Sequence, residues 1–353
     1  MSEGKRYLIG ISQGDINGIG VEVIIKTFLD NRVMEHCTPI LYGSSKVISY
    51  HRKVLNLGQF NFAQSRSIDK IQWNTFNIIN CWEEDPPVQL GQNNETGGKY
   101  ALLSLQAAAA DLKAGRIDAL VTAPINKSNI HSEAFPFKGH TSFLAEQAGV
   151  SDHLMMMCGG DLRIGLVTEH IAVAEISQSI SKELILKKLE ILRNSLIKDF
   201  GIDKPKIAVL GLNPHAGDDG LIGREEIDEI KPAIAEAKSK NTMVMGPYPS
   251  DGLFGSGNYS KFDGILAMYH DQGLVPFKAL CFDKGVNFTA GLPFVRTSPD
   301  HGTGFDIAGK NVALEDSFRE AVYLALDILR KRDLNKELTS NPLKKVELAK
   351  ETH

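Results

Sequence analysis

Short apolar runs alternate with amphipathic stretches along the whole chain. The segments RYLIGIS (6–12), PILYGS (39–44), FNIINC (76–81), IDALVTAPI (117–125), IGLV (164–167), IAVLGL (207–212) and ILAMY (265–269) are dominated by apolar residues. Such runs, too short for core helices, predict strands buried on both faces. Helical patterns lie between them. NGIGVEVIIKTFLD (17–30) reads as a loop entering a helix. GGKYALLSLQAAAADLKAG (97–115) is alanine-rich, with Gly115 just past its end, and GHTSFLAEQAG (139–149) closes on Gly149. In SKELILKKLEILRNSLIKDFG (181–201), Ile185, Leu189, Leu192, Leu196 and Phe200 share one face, and Ser181 is placed as the N-cap. EEIDEIKPAIAEAKSK (225–240) contains a proline and predicts a bend or break at Lys231. DSFREAVYLALDILRKRD (316–333) is a late helix, and the polar tail SNPLKKVELAKETH (340–353) is expected to fray. The alternation predicts an α/β fold with a largely parallel sheet. No Gly/Ser/Pro linker marks a boundary, so the chain is expected to cross between domains more than once.

Length refines this picture. At 353 residues the chain exceeds one typical core, which predicts two domains. Hydrophobic residues make up 42% and charged residues 23%, ordinary for a soluble globular protein. The net charge of −4 leaves no whole-chain electrostatic footprint for nucleic acid, although a local basic pocket for a small anion is compatible with it. Cys37, Cys81, Cys158 and Cys281 are far apart, which points to neither a zinc knuckle nor a disulfide framework. MSEGKRYLIGIS lacks the apolar core of a signal peptide, and no run of 18 apolar residues follows, so a cytoplasmic protein without a membrane partner is expected.

The chemistry begins with three histidines. His170, His215 and His270 follow predicted strands in VTEH, GLNPHAGD and AMYHDQG. Ligands of open α/β sheets bind beyond the carboxyl ends of strands. Three imidazoles there can share one divalent metal and leave positions open for substrate; the plainer alternative is three loop-capping side chains. The C-terminal third is densest in polar groups, read as loops: YHDQGLVPFK (269–278), VNFT (286–289) and GLPFVRTSPDHGTGFDIAGK (291–310). Lys278, Asn287, Arg296, Asp300 and His301 cannot all be buried without partners. Arg296 offers a bidentate fork to phosphate or carboxylate and Lys278 a point charge, unless both belong to a solvated loop.

Taken together, GD-x-x-GIG near the start, TAPINK, KGHTSFLAE, NPHAG, YHDQG with its following lysine, and GLPFVRTSPDHGT resemble the 4-hydroxythreonine-4-phosphate dehydrogenase family in content and order, from about Gly10 to about Gly309. The resemblance implies two α/β/α domains with a cleft, like isocitrate and isopropylmalate dehydrogenases, assembled as a homodimer. We place the first, discontinuous domain at 1–130 plus 305–353. The second, with the metal ligands and the dimer interface, spans 131–304. The implied activity, in pyridoxal phosphate synthesis, is NAD-dependent oxidation of the substrate's C3 hydroxyl, followed by loss of CO2 to give an aminoketone phosphate. Carried over by motif, a divalent metal shared across the dimer falls to His170, His215 and His270, and substrate contacts to His140, Thr141, Lys278, Asn287 and Arg296. NAD or NADP falls to the GTGFDIAG loop through Gly302 and Gly304, since GDINGIG does not match a Rossmann fingerprint. Asp251 and Asp271 are candidates for ligand support or proton transfer, or are turn aspartates. Lys278 is an acid/base candidate as well as an anion ligand. Zinc, cobalt, magnesium, manganese and nickel are all open.

The family usually reads GDPAGIGPE where this chain has GDINGIGVE, with Ile16, Asn17 and Val21 departing; Pro299 also departs, before DHGT. These changes leave open related dehydrogenases of four-carbon phosphorylated sugar acids or of cis-dihydrodiols. Outside that group stand a metallohydrolase using the three histidines with Asp271, and a non-catalytic metabolite-binding protein.

Overall fold

The structure is a computed structural model that describes residues 5–133, 135–137 and 139–341. Most of the tail expected to fray lies outside the described residues. Among the described residues twelve strands form one sheet: β1 (Tyr7–Ser12), β2 (Cys37–Gly43), β3 (Ala63–Ser65), β4 (Asn77–Asn80), β5 (Ala119–Thr122), β6 (Leu154–Gly159), β7 (Leu162–Leu166), β8 (Lys206–Leu210), β9 (Met243–Tyr248), β10 (Gly264–Ala267), β11 (Val286–Ala290) and β12 (Val295–Pro299). Their order is β3-β4-β2-β1-β5-β12-β11-β6-β7-β10-β8-β9. Neighbours run parallel except at β12–β11, β11–β6 and β6–β7. All seven apolar runs contribute strands, and the chain is α/β as expected.

The helices are α1 (Gly20–Leu29), α2 (Ser45–Val54), α3 (Glu95–Lys113), α4 (Lys127–Ile130), α5 (His140–Ala148), α6 (Ile176–Ser179), α7 (Lys182–Lys198), α8 (Lys231–Ser239), α9 (Ser250–Gly255), α10 (His270–Cys281) and α11 (Asp316–Ser340). The Ser181 hydroxyl accepts from the Leu184 amide at 3.2 Å, so α7 starts where its cap predicts. Ile185, Leu189, Leu192 and Leu196 are buried, while Phe200 lies past the helix end and is half-buried. Gly115 and Gly149 adopt φ of 68° and 65°, the left-handed geometry that ends a helix. The discontinuity expected at Lys231 takes a specific form: Glu226–Ile230 is π-helical, and α8 begins at Lys231.

Two readings need correction. YHDQGLVPFK is not a loop but the start of α10; its Pro276 removes one helical donor without ending the helix. Arg296 and Asn287 lie on β12 and β11, not in a shaped loop. Both strands are five residues long with polar residues facing a cavity, so apolar periodicity cannot reveal them.

One buried group makes stability pH-dependent. His51 on α2 is 1% exposed and bonds the Ile16 carbonyl through Nε2 at 2.8 Å. Burial pushes its pKa down to about 4. Between pH 6.5 and 4 the unfolded chain takes up a proton that the folded chain refuses, so stability falls as pH falls, by roughly 3 kcal/mol across the window. Urea melts at pH 7 and pH 5 should show about 2 kcal/mol of this loss. In His51→Gln, which retains a donor for Ile16, the slope should flatten; an unchanged slope assigns the effect elsewhere.

Candidate active site

A cavity of about 530 Å³ opens on the face of the sheet where its direction changes. Register explains why these side chains meet. Asn287 lies opposite Ser298 on β12 and Met157 on β6, and Thr289 lies opposite Met155. Residues two apart in a strand share a face, so Asn287 and Thr289, Arg296 and Ser298, and Met155 and Met157 form a grid. Asn287, Arg296, Ser298 and Met155 line the cavity from it. Thr122 adds the carboxyl end of β5, and the first turn of α5 adds His140 and Thr141.

Arg296 is the centre of this grid. It is 3% exposed and is held by hydroxyls: Nη2 donates to Thr122 Oγ1 at 2.7 Å, Nε to the same oxygen at 3.2 Å, and Nη1 to Thr289 Oγ1 at 3.2 Å and Thr141 Oγ1 at 3.4 Å. Burial alone pushes its pKa down, to about 9, which leaves it charged at neutral pH. No carboxylate among the described residues pairs with it. A buried cation held only by neutral groups is costly unless an anion completes it. Burial first, then the charges of Arg296 and Lys127, hold His140 well below the usual imidazole range, so its ring is neutral. His140 Nε2 and Asn287 Oδ1 are buried without a partner among the described residues. Arg296, His140 and Asn287 thus line one space, and the last two each keep a buried polar atom without a partner among the described residues.

The histidines sit at the carboxyl ends of adjacent strands. The ladder of β7 and β10 continues past both: Val167 N bonds Ala267 O at 2.8 Å and Thr168 N bonds Met268 O at 3.1 Å. Two residues further on in each chain segment come His170 and His270, with ring centroids 5.4 Å apart. His270 Nδ1 bonds Asp271 Oδ1 at 2.7 Å. With the proton on Nδ1, that carboxylate orients the ring and leaves Nε2 to bind a metal. Buried Gln272 ties the third strand end to these, donating to Gly211 O at 2.6 Å and accepting from Met268 N at 2.7 Å. His215 follows β8 but is exposed, and no group of three metal-binding side chains forms within one chain among the described residues. It stands in a left-handed turn, His215–Asp219, in which all five residues have positive φ and four are not glycine. Left-handed geometry costs about 1–2 kcal/mol per such residue, so something over-determines this turn.

The remaining candidates separate. Gly302 lines the cavity, and a Cβ there would meet nothing within 4 Å. Gly304 does not line it; at φ +53° its missing side chain admits Ile19, whose Cδ1 would lie 2.8 Å from a Cβ. Lys278 reaches Asp300 at 3.4 Å rather than the cavity. Burial raises the Asp300 pKa, and Lys278 counters it. Asp251 is exposed in the first turn of α9 and does not line the cavity. Sequence reasoning passed over Thr122, Lys127, His153, Glu169, Lys188 and Ser298, all of which line the cavity. TAPINK contains Thr122 and Lys127, and VTEH contains Glu169; His153 and Lys188 carry no motif and become visible only through the strand order.

Comparison with known proteins matches this arrangement to a family. The family model described as pyridoxal phosphate biosynthetic protein PdxA matches residues 35–325. A curated relative from Bacteroides thetaiotaomicron, named 4-hydroxythreonine-4-phosphate dehydrogenase, is 52% identical over 344 residues, covering 97% of this chain and 94% of the relative. The solved 4-hydroxythreonine-4-phosphate dehydrogenase of Klebsiella pneumoniae superposes with a TM-score of 0.78 at 32% identity, covering 93% of this chain and 99% of that one. A terephthalate 1,2-cis-dihydrodioldehydrogenase from Burkholderia xenovorans is more distant, with a TM-score of 0.62 at 26% identity, covering 92% of this chain and 98% of that one. With the model matched over most of its length and a curated relative identical at half of the aligned positions, the chain belongs to the PdxA family of pyridoxal phosphate biosynthetic proteins.

Proposed function

We propose that this protein is a 4-hydroxythreonine-4-phosphate dehydrogenase, oxidising 4-phosphohydroxy-L-threonine at C3 with NAD or NADP in the cytoplasm and releasing CO2 from the β-keto acid. The observation that carries the reading is Arg296, a buried guanidinium without a carboxylate partner among the described residues, facing a cavity with His140 and Asn287. Its fork suits one anionic end of the substrate. Neutral His140 suits a hydrogen bond to a substrate oxygen. Lys127 adds positive charge to the same lining.

His170 lines this space and His270 lies beside it with ring centroids 5.4 Å apart; the two fit two ligands of a divalent metal, with Asp271 orienting His270. The third ligand, His215, is supplied by the second copy in a homodimer. When bound, the cation lowers the pKa of a ligated hydroxyl and polarises the carbonyl formed from it. Gly302 leaves room on the cavity wall for the nicotinamide cofactor, whereas Gly304 serves packing. In this reading the cavity lies between a domain of 1–130 plus 305–353 and one of 131–304.

The test is a substrate panel followed by NADH absorbance, with metal supplied. 4-Phosphohydroxy-L-threonine should be turned over with kcat/KM at least about tenfold above that for phosphorylated erythronate, phosphorylated threonate or a cis-dihydrodiol, since one hydrogen bond made only to the correct substrate has a net worth of about 1 kcal/mol or more. Preference for a sugar acid or dihydrodiol rejects the substrate assignment. Absence of NADH from every substrate, with hydrolysis or binding alone, rejects the dehydrogenase.

A further inference from the structure

The turn that presents His215 is held from below by one carboxylate. Glu226 is 1% exposed, and its side chain bonds the two residues leading into the turn. Its Oε1 accepts from the Leu212 and Asn213 amides, each at 2.7 Å, and its Oε2 accepts from Asn213 Nδ2 at 2.9 Å. The turn rests on the same carboxylate: a Cβ on Gly217, at φ +83°, would lie 2.6 Å from Glu226 Oε2. Glu226 also begins the π-helical stretch Glu226–Ile230, an irregularity that is rare and concentrates at functional sites. Asn213 is gripped from its other side by Glu225 Oε2 at 2.8 Å, and the Ser177 hydroxyl donates to that second carboxylate. Gly223 is confined as well, since a Cβ there would lie 2.5 Å from Asn213 Nδ2.

We propose that Glu226 is a positioning residue: it clamps the strand-to-turn junction at 212–213 so that five left-handed residues hold His215 outward toward the metal site of a second copy. The inference rests on the reading of His215 as a metal ligand. The chemistry of the clamp is specific. Three donors converge on a single buried carboxylate, so alanine leaves the Leu212 and Asn213 amides unpaired and Asn213 Nδ2 with Glu225 alone. Glutamine preserves an oxygen for the two amides and sets an NH2 group against Asn213 Nδ2.

The experiment titrates Co(II) into metal-free full-length protein and reads its Kd, with thermal melting and sedimentation as controls. Glu226→Ala should weaken Co(II) binding about 10- to 100-fold, the range for groups that orient metal ligands, while the protein remains folded and dimeric. Glu226→Gln should fall between alanine and wild type and should speed amide hydrogen exchange at 213–219. If the alanine variant does not fold, the glutamine variant decides, with an expected loss of about threefold or more. A purely structural role would lower the melting temperature and leave Co(II) affinity within about twofold of wild type, which overturns the proposal. His215→Ala is run in parallel. If it binds Co(II) like wild type, His215 is not a ligand and the clamp has no metal function. If it loses affinity while both Glu226 variants keep theirs, the ligand reading stands and the clamp alone is refuted.

Discussion

Arg296→Ala lowers kcat/KM for the phosphorylated substrate by about 30- to 1,000-fold, the kinetic equivalent of roughly 2–4 kcal/mol for a desolvated charge-assisted pair. The expectation rests on how the guanidinium is held. Thr122, Thr141 and Thr289 fix its plane with neutral hydroxyls, so its charge is left for a ligand. Arg296→Lys should recover only part of the loss, because lysine keeps a charge but cannot span the positions that Nη1 and Nη2 occupy. Two controls separate binding from damage to the fold. The KM for NAD should move little, and the melting temperature should not drop in proportion to the activity. Near-normal kcat/KM in the alanine variant, or an equal loss of NAD affinity, would make Arg296 a structural residue and place the anion pocket elsewhere.

Much of this site follows from apolar runs and what stands after them. IGLV, IAVLGL and ILAMY identify β7, β8 and β10, and the residue pattern by itself puts His170, His215 and His270 at carboxyl ends of strands. Sequence spacing does not say that β7, β10 and β8 are consecutive in the sheet, and hence that His170 and His270 come within 5.4 Å. Hydrogen bonding beyond the strand ends sets that distance. Nor does the spacing show that His215 stands exposed in a left-handed turn, because the carboxylate that bonds the 212–213 amides lies eleven residues beyond His215 and resembles any acidic residue on an exposed helix.

The substrate side is less legible. Arg296 is readable as an anion ligand by type, but its environment is not: in VRTSP an inward arginine contradicts the apolar alternation that marks a strand, so the segment resembles a loop. The same holds for α10, where Pro276 and the polar HDQG opening disguise twelve helical residues. Lys278 shows the opposite failure. Motif position assigns it to substrate, yet within one chain it reaches Asp300, a partner named in the same polar cluster but not paired with it by spacing.

The placement of the histidines makes subunit mixing decisive. In the proposed dimer, His170 and His270 belong to one chain's half of the site, and His215 to the other half. A mixture of His215→Ala and His270→Ala, each inactive alone, should therefore regain activity. In the heterodimer the first subunit supplies intact His170 and His270, its partner supplies intact His215, and one complete site forms while the other lacks two ligands. Random exchange at equal amounts makes half the dimers mixed, each with one working site of two, so recovery should approach about a quarter of wild-type activity in a symmetric dimer. The control is a mixture of His170→Ala and His270→Ala. Both residues come from the same subunit's half, so each of its two sites lacks one ligand and activity should stay at the level of the single variants. Recovery in the first mixture and none in the second establishes the division inferred here. Heterodimers verified by mass that show no recovery in the first mixture place all three histidines within one chain's site or take His215 out of it. Recovery in the second mixture instead means that His170 and His270 act in different sites despite their proximity within the chain.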